Sequence, residues 1–533
     1  MWSRGSAVPA MAAWPWRRPA EPRLYRLRVR RLGRVAFGGA RGGPWLLTVD
    51  FAQFETLLVV GGLLLLAGVL ASKVSTRLGV PALLLFLGLG MLAGSEGPGG
   101  IAFDDPIVAQ GIGILALAFI LFAGGVDTNF EDVRPLLSSG GLLATVGVGV
   151  TATVTGLAAF LVLDVSLPVA LLLGAAVSST DAAAVFSVLR SRAIGLKGRL
   201  KPLLELESGA NDPMAVLLTI VMIEWITLGG MGAGRTVALL VVQMAVGLAG
   251  GLLLAAGLVW VLRRVYLEQQ GLYPIVTVAG VVLGYALTAL LGGSGFLAVY
   301  VAGLMVGKAD IAHRRRLMDF HDAVQWFMQI LLFLVLGLLV FPSQLPQVAG
   351  AAVLILLALT LVARPLAVLV CLPRGWSLPE RGLIAWVGLR GAAPILLATF
   401  PMVAGIEQAN TVFNVVFFVV LLSVLAQGTT IPHVARWLGV DAPLGPPEPL
   451  AVEAVHEERT DLELIELQLR ETSPAAGRRV VELDLPANAL IVLLTRGDDR
   501  AIPQGSTRLE AGDELVVLAA PEDADELRRS LCG

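Results

Sequence analysis

The sequence predicts an all-α polytopic membrane protein of about thirteen transmembrane helices, followed by a small α+β domain. Three observations predict it. Of 533 residues, 56% are hydrophobic and 15% charged, against about 45–50% and about 25% in an average soluble domain, and the mean hydropathy is +0.80. Charge is unevenly placed: 37 Asp, Glu, Lys and Arg lie in the 377 residues from Leu57 to His433, and 30 within the last 100 residues. Finally, apolar runs recur between charged or Gly/Pro-rich breaks.

Residues 1–50 hold ten arginines against Glu21 and Asp50 and lack a continuous apolar stretch, so they resemble no secretory signal peptide. They read as a basic disordered leader. The apolar runs then fall at 57–71, 80–95, 107–126, 141–163, 168–188, 203–228, 236–262, 273–291, 295–307, 324–341, 347–372, 382–403 and 411–433. Several approach the roughly 20 residues that cross a bilayer core of about 30 Å, and the short runs 80–95 and 295–307 predict broken or tilted helices. The break near Arg436 ends a membrane domain of residues 51–440. A linker of 441–459 and a tail of 460–533 follow.

Taking alternate loops as one side, sixteen basic residues, from Lys73 and Arg77 to Arg374 and Arg381, face Arg235 alone on the other. The positive-inside rule makes the first side cytoplasmic. Thirteen spans then place the amino terminus outside and the tail inside. The leader's arginines fall on the disfavoured side, so the expectation is a mis-assigned upstream start, with translation beginning near Val49; the alternative is a tolerated basic arm. Net charge of −2 and thinly spread Lys and Arg point to no nucleic-acid partner. Cys371 and Cys532 make neither a disulfide framework nor a metal motif. The partner implied is lipid.

An ionisable side chain at the bilayer centre costs about 2.5–3.5 kcal/mol even on the lenient insertion scale, so each is a functional-site hypothesis. Asp181, in Val177-Ser178-Ser179-Thr180-Asp181, lies about 12 Å from the cytoplasmic end of the fifth run at 1.5 Å per residue. Asp212 is about 14 Å deep in the sixth, and Arg390, in Gly388-Leu389-Arg390-Gly391, reaches a similar level in the twelfth. Two acids and one base share a layer. On a helix Glu207 stacks with Asn211 and Ser208 with Asp212, giving two polar stripes. Pro213 and Pro394 leave the carbonyls of Gly209 and Arg390 without donors, and carboxylate and carbonyl oxygens bind hard cations. Interrupted helices in corresponding places of two halves mark a transporter's site.

A buried carboxylate pair holds a proton or a cation but is costly when charged and empty. Proton and cation therefore compete, which is the chemistry of exchange. Arg390 is expected to pair with Glu207 or Asn211 and fix the geometry. Glu205 and Glu224, near run ends, read as interfacial, and Arg364 reads equally as a snorkelling side chain or a functional one. The Gly-rich runs are expected to be close-packing surfaces.

Ser179-Thr180-Asp181-Ala182-Ala183-Ala184-Val185-Phe186, Glu207-Ser208-Gly209-Ala210-Asn211-Asp212-Pro213 and Gly388-Leu389-Arg390-Gly391-Ala392 resemble the signature segments of the bacterial cation:proton antiporter-1 family, closest to its NhaP-type potassium/proton branch. The likeness runs from about Phe51 to Val440. It implies inverted repeats with crossed broken helices at the fifth and twelfth spans, a homodimer and alternating access. It further implies that Asp181 and Asp212, with Ser208 and the backbone of Thr180, hold the cation, while Glu207, Asn211 and Arg390 form a supporting network. The Asn-Asp pair resembles that of electroneutral members. Ala123 departs from the pattern, since relatives often carry an acid there.

In the tail, Leu462–Leu469, Ala489–Arg496 and Leu509–Leu518 read as strands, with a turn at Gly512-Asp513, and Pro521–Leu531 as a helix. The segment is similar to the TrkA C-terminal domain, which implies regulation, either as a dimerising cap or through a small ligand. No cofactor is expected; the ions are cargo. The competing reading, a tail-gated cation channel, lacks a Thr-Val-Gly-Tyr-Gly filter. An intramembrane hydrolase lacks a histidine base near Ser178, Ser179 or Ser208. The likeness leans to potassium, with sodium or lithium as alternatives.

Overall fold

The computed structural model describes residues 51–78, 81–230, 232–266, 268–309, 311, 314–443, 463–470, 473–483, 485–486, 489–497, 499–520 and 523–531. The leader, most of the linker and Cys532 lie outside the described residues. A division of the chain into two units falls inside the first helix, between Leu57 and Leu58, and the site lies wholly in the second.

The helices are α1 (Phe51–Leu78), α2 (Ala82–Ala93), α3 (Pro106–Asp127), α4 (Phe130–Val162), α5 (Leu167–Ala176), α6 (Ala182–Ser191), α7 (Leu200–Thr227), α8 (Ala233–Arg264), α9 (Leu272–Leu290), α10 (Gly295–Lys308), α11 (Arg314–Leu338), α12 (Pro342–Cys371), α13 (Leu378–Trp386), α14 (Ala392–Val403) and α15 (Ala409–Trp437). Each predicted apolar run falls on one of these or on a pair. Among the described residues, nine are long and apolar enough to cross a bilayer. Several helices outrun their apolar stretch. α11 starts at Arg314, ten residues before run 324–341, because backbone hydrogen bonds continue into a polar end that hydropathy does not register.

The fifth and twelfth runs each divide into two short helices, α5/α6 and α13/α14. In the first, Ser178 Oγ donates to Ala175 O at 2.6 Å, and Asp181 caps α6 by accepting from Ala184 N at 2.9 Å. Such side chains compete with the helical backbone and stop it. In the second, Gly388 and Gly391 flank the break. The neighbouring α4 and α12 each contain a π-turn, at Leu143–Gly147 and Leu359–Ala363, and α7 and α15 each carry an internal proline, Pro213 and Pro432. The same order of irregularities thus occurs twice along the chain. Each π-turn packs on the helix that contains the other.

Small residues let the backbones close up. A Cβ on Gly125 of α3 would come within 2.6 Å of the Tyr300 carbonyl of α10, the close approach that membrane helices use in place of a hydrophobic driving force. Large apolar side chains stay on the outside, among them Leu161, Leu253 and Leu290.

Two further elements matter for the site. Strand β1 (Ile194–Leu196), between α6 and α7, pairs antiparallel with β2 (Asp441–Pro443), just after α15. Arg199 at the start of α7 stacks on Trp376, 3.7 Å from the ring centroid, and bonds Gly375 O and Glu380. The loop between α6 and α7 is thereby tied to the loop before α13 and to the end of α15.

The tail forms one antiparallel sheet in the order β3 (Glu463–Gln468), β6 (Glu514–Ala519), β4 (Leu490–Arg496), β5 (Asp499–Ala501), with helix α16 (Ala524–Leu531). Ile465, Leu467, Ile491, Leu494, Leu515, Val517, Leu527 and Leu531 make its core. The residues Leu509 to Gly512 are not strand: they lead into the turn, where Gly512 takes φ +94°. Burial works against the charge of Asp513, but the Arg496 guanidinium, at 2.7 and 2.8 Å, and the Glu510 N–H outweigh it and hold the carboxyl below its usual range.

Candidate functional site

The two helix breaks meet. Asp181 N donates to Leu389 O at 2.8 Å, so the extended segment after α5 bonds directly to the one after α13. Arg390 lies between them with 1% exposure. Its Nη1 donates to Ser178 O at 2.8 Å and Ser179 O at 2.5 Å. These carbonyls follow the C-terminus of α5, where unpaired oxygens and the negative end of the helix dipole favour a cation. Arg390 N donates to Ser423 Oγ, which donates to Gln427 Oε1, and Gln427 Nε2 donates to Trp386 O. The arginine is clamped from both sides.

This corrects the expectation for Arg390. It bonds neither Glu207 nor Asn211, because the bare carbonyls of the first break are the nearer acceptors. Glu207 pairs instead with Arg364 of α12 through two contacts, 2.5 and 2.9 Å, and Arg364 also donates to Ile384 O. Both side chains are buried, at 1% and 4% exposure. Arg364 therefore does not snorkel. Its partner was the least visible in the sequence, although Arg364 is the single Asp, Glu, Lys or Arg in the run 347–372.

α7 supplies the rest. Ser208 Oγ donates to Thr180 O at 2.9 Å and accepts from Ala182 N at 3.1 Å, and Asn211 Nδ2 donates to Thr180 Oγ1 at 2.6 Å. The tasks cut across the two stripes predicted from i, i+4 spacing. Glu207 faces Arg364, while Ser208 and Asn211 hold the first break against α7. Asn211 Oδ1 is buried without a partner among the described residues.

Asp212, Asp181, Ser208, Thr180 and Ser179 line one cavity of about 430 Å³, together with Gly391 and Ala392 from the second break. It extends past Gln329 and Gln325 to a mouth formed by Asp127, Arg190, Lys201 and Glu205, with β1 in its wall. Both carboxylates therefore have a route to water, beside hydroxyl and carbonyl oxygens, the donors that suit hard cations. Glu207, Asn211 and Arg390 are absent from the lining and stand behind it. Ala123 is buried at 2% and brings no polar atom.

Gly391 is a second residue that sequence reasoning did not single out for the site. A Cβ there would overlap the Asp181 carboxylate, so the carboxylate packs on bare backbone. Gly391→Ala must move the carboxylate or α14. We expect a stability loss of about 1–3 kcal/mol and a roughly tenfold weaker apparent cation affinity, measured by melting and by the cation dependence of transport. Unchanged affinity would show that the close approach is irrelevant to the ion.

Comparison with known proteins adds the following. A family model described as sodium/hydrogen exchanger, transmembrane, matches residues 62–437, and one for the TrkA-C domain matches residues 464–531. The K(+)/H(+) antiporter NhaP2 of Shewanella sp. (strain MR-4) is 40% identical over 487 residues, covering 90% of this chain and 84% of that protein. The K(+)/H(+) antiporter NhaP of Alkalimonas amylolytica is 41% identical over 485 residues, covering 89% and 82%. The Na(+)/H(+) antiporter NhaP of Pseudomonas aeruginosa is 31% identical over 353 residues, covering 62% and 81%. The solved structure of the sodium proton antiporter MjNhaP1 from Methanocaldococcus jannaschii at pH 8 superposes with a TM-score of 0.60 at 25% identity, covering 70% of this chain and 99% of that one.

Proposed function

The chain belongs to the sodium/hydrogen exchanger family, and from that membership we propose that it exchanges potassium for protons, one for one, at Asp181 and Asp212. It is a multi-pass membrane transporter of monovalent cations and protons with a TrkA-C domain at its carboxyl end. The observation that carries the site assignment is the single cavity onto which both carboxylates open where the two helix breaks meet.

The cation sits between Asp181 and Asp212, with Ser208 and the Thr180 backbone as neutral oxygens. Glu207, Asn211 and Arg390, with Arg364, hold those groups in place. Asp181 already accepts a hydrogen bond as the cap of α6, so its charge is offset by the helix terminus. Asp212 is then the group that trades a cation for a proton. Asn211 cannot carry a second proton, which makes the exchange electroneutral. A charged, empty site is costly in the membrane, so only loaded forms cross, and transport is coupled. The excess of basic residues in alternate loops supports a reading with the cavity mouth and the tail in the cytoplasm and the amino terminus outside, in a bacterial inner-membrane protein that works as a homodimer in potassium, pH and volume control. The tail acts as a regulator through dimerisation or a small ligand. In domain terms, residues 51–440 transport, 441–459 link and 460–533 regulate.

Potassium is favoured because the relatives named for it match 89–90% of the chain at 40–41% identity, against 62% at 31% for the relative named for sodium. The test is an imposed pH gradient in vesicles carrying the purified protein, challenged with potassium, sodium or lithium chloride. Potassium should collapse the gradient at the lowest concentration, without a current. Collapse by sodium or lithium alone would overturn the ion assignment, and single-channel currents would overturn exchange.

A further inference from the structure

The cavity holds a second set of oxygens that the central site does not use. Glu205 lies on the same face of α7 as Asp212, seven residues nearer the mouth, about 10 Å at 1.5 Å per residue. Asp127, at the end of α3, lines the cavity too, close enough for its charge to act on Glu205. Two more polar atoms face this space without a hydrogen bond of ordinary geometry among the described residues: the Tyr300 hydroxyl, on a residue 4% exposed and with the Thr128 side chain as a polar neighbour, and Gln325 Oε1. Buried polar atoms left unpaired are costly and call for an unseen partner. Tyr300 stands on bare backbone, because a Cβ on Gly209 would overlap its ring, which holds the hydroxyl toward α7 between Glu205 and Asp212.

We propose that Glu205, Asp127, Tyr300 and Gln325 form a second, shallower station for a monovalent cation, filled before the ion reaches Asp212. This rests on the exchange reading of the central pair. All four groups offer oxygen, two of them from acids, the donors that suit a hard cation, with Arg190 and Lys201 on the same wall. Among the described residues no three acidic, histidine or cysteine side chains converge on one point, so the ion is held with part of its water, loosely. Lys201 approaches Glu205 at 3.8 Å and is 63% exposed. It competes with the arriving cation and keeps the station weak. Weak binding is what a waiting site requires, since an ion must enter it and also leave it.

The station predicts a split between affinity and turnover. In vesicles with the mouth exposed, Glu205→Gln with Asp127→Asn should raise the KM for potassium roughly two- to fivefold per charge removed, the scale of a partly exposed charge contact, with kcat within twofold. Tyr300→Phe should raise KM by a smaller factor, and Lys201→Gln should lower it. Glu131→Gln, an acid outside the cavity lining, should leave KM unchanged. A KM that rises equally with Glu131→Gln would mean a general surface-potential effect only and would overturn the station. So would an unchanged KM in the double variant, or a fall in kcat equal to the rise in KM. A second measurement needs no turnover. In an Asp212→Asn background, rubidium should still raise the melting temperature, and adding Glu205→Gln and Asp127→Asn should remove that increase. No rubidium effect in Asp212→Asn overturns the station while leaving the central pair standing.

Discussion

Asp212→Asn should abolish exchange while the protein still folds. The substitution keeps shape and volume but removes the group that can be charged with a cation and neutral with a proton. A cation in the cavity then lacks half of its compensation. An unpaired charge at membrane depth costs about 2.5–3.5 kcal/mol on the lenient scale, which corresponds to a factor of roughly a hundred in loading. The proton loses the carboxylate that would trade it for a cation, since the one left, Asp181, is held as the cap of α6. In vesicles, the pH gradient should persist on addition of potassium chloride, down at least about a hundredfold in rate. Solubility and size should match the wild type and melting should stay near it: Asp212 meets the first break through the Ser179 side chain, an interaction the Asn oxygen can keep, while the contacts that tie the breaks together run through Asp181, Ser208, Asn211 and Arg390. Retained exchange in a folded Asp212→Asn protein would sink the assignment of the central pair.

Arg364→Met should have the largest effect on stability. It strips Glu207, 1% exposed, of the partner that makes two hydrogen bonds to it. Removing one member of a buried ion pair costs about 3–5 kcal/mol, because the other charge stays buried and uncompensated. That is a large share of the 5–15 kcal/mol by which proteins are stable, so yield and melting temperature in detergent should fall sharply. The companion variant, Glu207→Leu with Arg364→Met, exchanges the pair for apolar groups and should recover most of the loss, since such replacements are often neutral in stability. Recovery in the double variant is the outcome that identifies the ion pair as the cause. If Arg364→Met alone melts like the wild type, Glu207 has another partner and the network drawn here is wrong.

Much of this site was legible in the chain. The cost of charge in lipid made Asp181, Asp212 and Arg390 conspicuous, and the helical rise put them in one layer. The likeness of the signature segments implied breaks in the fifth and twelfth spans, and the structure puts Ser178, Asp181, Gly388 and Gly391 at them. The tail's alternating residues announced its strands, and Gly512 the turn between them. What could not be read was pairing. Spacing put Glu207 and Asn211 on one face of α7, but nothing along the chain said that Arg364, 157 residues away, stands opposite, or that Arg390 would prefer the carbonyls of Ser178 and Ser179. The choice between a snorkelling and a buried Arg364 depends on what packs beyond it, which no local rule encodes. For Glu205, closeness to a helix end left open whether that end faces lipid, water or a cavity; it lines the cavity.

By itself the sequence determined which segments lie in the membrane, where two helices must break and which charges must be sheltered. These follow from costs paid residue by residue, in hydropathy, backbone hydrogen bonding and desolvation. The tertiary structure decided which charge shelters which and which oxygens share a cavity, because those contacts join residues far apart in the chain, such as Glu207 with Arg364 and Asp181 with Leu389, which only packing brings within hydrogen-bond range.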